Sequence, residues 1–197
     1  MYVNHSGGLY SRNLSTDTDL GCSANVGRIN SSYAIAVDSS KSNLYYHVRN
    51  GSNGIIYRHT FSGDCPSTSS ASAIRINRWR VAYGLATHPS DDSVIYGADW
   101  GNSKIYKYTL NASKSGISST VSKGVRRNKQ SSATNTFIYY PGGVHVDTTN
   151  NRVILADLNK SAVQFFDLNL GWIKELGGSL ATRMTGAHEA IQAIVSD

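Results

Sequence analysis

The sequence predicts an all-β chain built from a repeated unit of four short antiparallel strands, and three observations carry that prediction. Twelve Tyr, eighteen Gly and an excess of Ser, Thr and Asn favour short strands with many turns,. With 40% hydrophobic and 16% charged residues over 197 positions, the chain can bury one substantial core,. Third, one short phrase recurs four times: Tyr33 to Asp38, Tyr83 to His88, Gly142 to Asp147 and Gln192 to Asp197,. Each sets a small residue before a branched apolar one and closes on a polar residue. The intervals are 50 residues from Ala34 to Gly84, 59 from Gly84 to Gly143 and 50 from Gly143 to Ala193, which is a period.

Taken in order, Met1 to Asn4 reads as a second strand, Gly8 to Leu14 as a third and Val26 to Asn30 as a fourth,. The first full unit then runs through Tyr33 to Asp38, a turn at Ser39 to Asn43, Leu44 to Tyr46, Ile55 to Phe61 and Ile74 to Asn77. In the second, Pro89 to Asp92 turns the chain into Val94 to Tyr96, and Ile105 to Leu110 follows,. The third repeats this with Thr148 to Asn151, Val153 to Leu155 and Val163 to Leu168. A four-stranded unit of this length, repeated, is the signature of a propeller blade, in which each sheet buries both faces against its neighbours. We expect one domain over residues 1–197, with blades near 33–82, 83–141 and 142–190 and a composite blade from 191–197 plus 1–32. Pairing of the terminal strands would close the ring and hide both edges; a stretch of a larger ring is the alternative.

The sharpest repeat is Val94 to Ser113. Within it, Tyr96-Gly97-Ala98-Asp99-Trp100-Gly101, then Lys104-Ile105 and Leu110-Asn111-Ala112-Ser113, resembles the YWTD repeat of low-density-lipoprotein-receptor-type β-propellers. Gly97 and Ala98 replace that family's Trp-Thr, and Asn111-Ala112 its Asp-Gly, so the chain is also similar to NHL-type relatives. The resemblance implies rings that normally hold six blades. It also implies a structural role between blades for Asp99 and Asp157, with His47 and Asn4 standing at that place in the other two units.

The composition and spacing exclude several classes. No run of eighteen apolar residues exists, and Met1 to Gly8 has no basic end leading into an apolar core, so neither a membrane helix nor a signal peptide is read here,. There is no Gly-x-Ser-x-Gly elbow, no Walker loop and no Gly-x-Gly-x-x-Gly,. Six Asn-x-Ser/Thr sequons, at Asn4, Asn13, Asn30, Asn50, Asn111 and Asn159, favour a secreted glycoprotein,. Cys22 and Cys65 follow the third strands of adjacent units, where neighbouring blades would place them side by side, and we expect one disulfide between them,.

Asp38, His88, Asp147 and Asp197 end the four first strands, at equivalent depth near one mouth of a central channel. Such a ring could hold a hard cation such as Ca²⁺. The competing expectation is that these carboxylates tie their turns to nearby backbone. His145, inside a first strand, reads as a core histidine. Lactonase-type propellers would need glutamate near a strand start, and Glu175 and Glu189 are the only two.

The net charge of +6 is concentrated in part in Lys123, Arg126, Arg127 and Lys129, inside the segment that lengthens the second interval. A basic inserted loop suits an acidic glycan or an acidic protein face, and nucleic acid is the least suitable partner because no aromatic interleaving accompanies it. Turns between second and third strands emerge opposite those between third and fourth, which puts Asn4, Asn50 and Asn159 on one face and Asn13 and Asn111 on the other,. We expect contacts on the less glycosylated face together with the basic loop. The functional expectation is a non-enzymatic extracellular module that binds a protein or glycan, or packs into a larger assembly; a metal-assisted hydrolase with its site in the channel is the alternative.

Overall fold

In a computed structural model, residues 2–5, 8–13, 18–19, 34–50, 53–62, 65–66, 72–76, 82–124, 138–158 and 160–177 are described, and among them every regular element is a strand. An N-terminal sheet joins β1 (Tyr2–His5), β2 (Gly8–Asn13) and β3 (Thr18–Asp19). The first complete unit holds β4 (Ile35–Val37), β5 (Asn43–Asn50), β6 (Asn53–Ser62), the two-residue β7 (Cys65–Pro66) and β8 (Ser72–Ile76), with β6 pairing β5 on one side and β7 and β8 on the other. The second unit runs β9 (Ala82–His88), β10 (Asp91–Asp99), β11 (Lys104–Leu110) and β12 (Ile117–Lys123). The third runs β13 (Pro141–Asp147), β14 (Arg152–Asp157), β15 (Ala162–Asp167) and β16 (Trp172–Gly177). Neighbouring strands in the second and third units are antiparallel and follow sequence order, as the four-strand reading expects, and in the first unit β8 takes the fourth place by pairing β6 past the two-residue β7.

One local difference from that reading has a physical cause. Asp91 joins β10 and pairs with His88, which shortens the expected Pro89 to Asp92 turn to Pro89 and Ser90 and leaves a register shift before Ile95. Asp91 accepts hydrogen bonds from the Ser93 amide and hydroxyl at 3.0 and 2.6 Å, a local closure that pins this irregularity,. At the N-terminus β3 pairs with β2 as β7 pairs with β6 one unit later. The strands expected at Val26 to Asn30 and Ile191 to Ser196, and with the latter the closing of the ring, lie outside the described residues.

The inner strands gather: β9 packs against both β4 and β13. The approach is close enough that Gly84 on β9 faces the backbone of Gly142 to Val144 on β13. Alternation then sends each sheet's side chains to two different cores. Tyr45, Ile56 and Ile74 of the first unit meet Leu85, Ile95 and Tyr108 of the second. From the other face of the second sheet, Val94, Tyr96 and Ile105 meet Val153, Leu155 and Phe166 of the third. Polar straps cross the same joints. Thr87 Oγ1 donates to Val37 O at 2.6 Å and Arg58 Nη1 to Ser113 O at 2.9 Å. One joint later, Tyr96 OH donates to Leu168 O at 2.9 Å and Lys107 Nζ to Asn169 Oδ1 at 2.8 Å.

The repeat extends to backbone detail. Ser103 and Ser161 both end second-to-third-strand turns with positive φ, at 55° and 51°. Gly124, just after β12, and Gly177, the last residue of β16, also have positive φ, and a Cβ at either would run into the carbonyl oxygen of Ser103 or Ser161 respectively. Glycine is required there for both its φ and its lack of side chain.

Candidate interaction face

The four residues proposed as a cation ring are engaged in turns wherever they are described. Asp38, almost fully buried, accepts the Ser42 and Asn43 amides at 2.8 and 2.9 Å on Oδ1 and the Asn43 side chain at 2.6 Å on Oδ2. Asp147 accepts the Asn150 amide at 3.0 Å and its side-chain amide at 2.7 Å. The Ser90 amide donates to His88 Nδ1 at 3.2 Å. Asp197 lies outside the described residues. Among the described residues no group of three or more His, Cys, Asp or Glu is placed to hold a metal ion.

The two motif aspartates behave differently from each other. Asp99, fully buried at the end of β10, accepts the Asn102 amide at 3.2 Å and its side chain at 2.6 Å, which closes the β10–β11 turn. Asp157, equally buried at the end of β14, accepts the Tyr139 amide at 2.7 Å and Gln164 Nε2 at 2.9 Å on Oδ2. Burial pushes its carboxyl up from 3.8 to about 7, against the opposing pull of the Tyr139 amide and Lys160,. His47, standing at this motif place in the first unit, is fully buried, and burial lowers its imidazole to about 4,.

Both motif aspartates hold up one feature that the sequence did not single out. Trp100, in the β10–β11 turn, stacks on Tyr140 with ring centres 4.5 Å apart and meets Tyr83 edge-on at 5.8 Å; Tyr140 in turn packs on Tyr139 at 4.8 Å. All four rings are half-buried. They come from three separate places: the β10–β11 turn, the start of β9 and the residues entering β13. The result is an aromatic ridge across the joint between the second and third units. Tyr140 holds its place with φ 63°, and its carbonyl accepts the Leu158 amide at 3.2 Å. The Tyr139-Tyr140-Pro141 run just before a first-strand phrase was the available signal; Tyr83 opens its own phrase, at the place Gly142 takes in the third unit.

The ridge lies beside the foot of the basic segment. Lys123 is the exposed last residue of β12, and Gly124 sits against Ser103 and Lys104 at the far end of the Trp100 turn. Arg126, Arg127 and Lys129 lie outside the described residues. The basic segment starts from the side of the second-to-third-strand turns, the side on which the sequence reading sets Asn4, Asn50 and Asn159. Asn4 sits within β1 opposite Leu9, Asn50 closes the β5–β6 hairpin opposite Asn53, and Asn13 ends β2 opposite Thr18. Asn111 is part of a closed turn, its Oδ1 accepting the Ser115 amide at 3.0 Å. Asn30, Asn159 and Cys22, and with the last the proposed disulfide to Cys65, lie outside the described residues. No helix among the described residues is long and apolar enough to cross a membrane.

No protein family matches the sequence, and no curated protein matches it. Solved structures do match in fold. The chain is similar to a chain of the nidogen/laminin complex, with 13% identity and a TM-score of 0.63 over 91% of this chain and 61% of that one. It is similar to a functionally unknown protein from Desulfotomaculum acetoxidans, with 14% identity and a TM-score of 0.62 over 89% and 50%. A luciferin-regenerating enzyme superposes with 14% identity and a TM-score of 0.59 over 86% and 55%. The chain spans 36% to 61% of the length of these and similar structures. At such identities the likeness establishes a propeller-like fold, which binding proteins and enzymes share.

Proposed function

We propose that this protein is a non-enzymatic extracellular recognition module whose contact surface is the aromatic ridge of Tyr83, Trp100, Tyr139 and Tyr140. The stack of Trp100 on Tyr140 across two units carries this reading. Trp and Tyr contribute large rigid contact area at little entropic cost and dominate protein interfaces. Lys104 and Lys123 stand beside the ridge, and the segment that leaves at Gly124 adds Arg126, Arg127 and Lys129. The matching partner is an acidic protein surface with an apolar anchor; a sulfated glycan, which would use the cations more than the rings, is the outcome to distinguish. The nidogen/laminin complex offers a precedent for a propeller of this shape in a protein complex. The hydrolase alternative receives less support, since Asp38 and Asp147 commit both carboxylate oxygens to their turns.

The test titrates the protein with a glutamate-rich peptide bearing one central Ile, and in parallel with heparin, at 50 and 200 mM salt. Trp100→Ala should weaken peptide binding about tenfold or more, as removal of an interface anchor does. Replacing Arg126 and Arg127 with Ala should weaken it less and reduce its salt dependence. Heparin binding that ignores Trp100→Ala would replace the protein-partner reading with the glycan one. Loss of neither ligand in either variant would refute the proposed face.

A further inference from the structure

The geometry points to Asp157 as a positioning residue for the aromatic ridge: through the Tyr139 amide it holds the Tyr139–Tyr140 pair, and with it the Trp100 stack, in the presented arrangement. This rests on the ridge being the contact surface. The path is short and continuous. Asp157 Oδ2 accepts the Tyr139 amide at 2.7 Å, Tyr139 packs on Tyr140 at 4.8 Å, and Tyr140 stacks on Trp100 at 4.5 Å. The Leu158 amide, next in sequence to Asp157, donates to Tyr140 O at 3.2 Å, so the end of β14 grips both tyrosines of the pair.

Asp157 is suited to do this conditionally. An ionised carboxylate accepts the Tyr139 amide in a charge-assisted bond roughly twice as strong as a neutral one. A protonated carboxyl leaves only a carbonyl-type acceptor. The carboxyl is fully buried, and the Lys160 backbone amide joins that of Tyr139 in favouring its ionised form. The groups facing it are few. Gln164 on β15 is neutral, Lys160 in the β14–β15 turn and Glu175 on β16 pair with each other, and the sheet of the second unit offers apolar residues such as Ala98 and Ile105. Lys160 favours the ionised form, Glu175 the protonated one, and burial is the larger influence, holding the carboxyl near neutral pH. The ridge is therefore held more firmly above pH 7 than below it, and by linkage a ridge ligand releases a proton from Asp157.

The experiment follows the Tyr139 backbone amide and the Trp100 indole resonances of the free protein from pH 5.5 to 8.5, then repeats the glutamate-rich peptide titration at pH 6 and pH 8. Both resonances should move together with a midpoint near 7, Tyr139 amide exchange relative to its intrinsic rate should slow above it, and peptide affinity should rise about fivefold from pH 6 to pH 8. In Asp157→Asn these pH dependences should vanish. A Tyr139 amide that does not titrate in the wild-type protein overturns the assignment whether or not the variant folds. A titrating amide with a static Trp100, or with peptide affinity equal at the two pH values, overturns it too. If no probe binds at any pH, the recognition reading falls, and the free-protein titration alone decides the role of Asp157.

Discussion

Replacing Gly84 with Ala tests the arrangement at its tightest point. Gly84 is buried on β9. A Cβ there would stand 2.6 Å from Gly142 O, 2.7 Å from Val144 N and 3.1 Å from Gly143 C. All three are backbone atoms of β13, so no side chain can turn aside. Ordinary contact begins at 3.4 Å, so the two inner strands must part by about 0.8 Å, 3.4 less 2.6,. Because β9 and β13 belong to different sheets, that displacement also loosens the core of Val94, Tyr96, Val153 and Leu155 between them. Among the described residues the positive-φ glycines are Gly124 and Gly177, so the penalty at Gly84 is one of packing and not of backbone strain. Overpacking of this kind costs about 2–3 kcal/mol, which for a chain of this size lowers the melting temperature by about 5–10 °C. Equilibrium urea unfolding reads the cost directly. Gly116→Ala is the control, since its added Cβ would meet only the side-chain Nδ2 of Asn111, at 3.3 Å, and it should stay within about 0.5 kcal/mol of wild type. A Gly84→Ala protein that unfolds at the same urea concentration as this control would show that the inner strands do not pack as described.

Two further outcomes follow from buried groups and cysteines. Asp157 is raised from 3.8 to about 7, so the folded state holds a proton the unfolded chain releases, and its contribution is lost as pH rises through that window,. His47 is lowered from 6.5 to about 4, so its contribution is lost as pH falls through that window,. Between about pH 4 and 6.5 the two slopes oppose each other, and urea midpoints should be nearly level; in Asp157→Asn stability should climb by about 1.4 kcal/mol per pH unit there, and a level profile in the variant would contradict the burial of His47. For the cysteines, a Cys22 to Cys65 bridge would leave no thiol reactive in the native protein, and reduction should cost roughly 4 kcal/mol on the chain-entropy account. Two reactive thiols would remove the bridge and weaken the case for secretion.

The sequence by itself determined the class of fold and the place of the first three strands in each complete unit. The reason is local: period-2 alternation, turn residues and a repeat near 50 positions all act within one unit, so Val94 to Tyr96 and Ile105 to Leu110 read as strands without reference to anything else,. The motif aspartates were legible for a similar reason, since Asp99 and Asp157 each end a second strand. What each of them holds was not. Asp99 closes its own turn, whereas Asp157 reaches back 18 residues to the Tyr139 amide. That difference depends on how the chain re-enters the sheet after the long second interval. The aromatic ridge is non-local in the same way. Tyr83, Trp100 and Tyr140 occupy unrelated places in their units and share no spacing, and they meet only because two sheets pack around a common inner edge. Only that packing decided that the basic segment starts beside Trp100, through the approach of Gly124 to Ser103. Spacing along the chain encodes which residues share a sheet; which side chains meet across two sheets is set by the angle and distance between them, and that information resides in the tertiary structure.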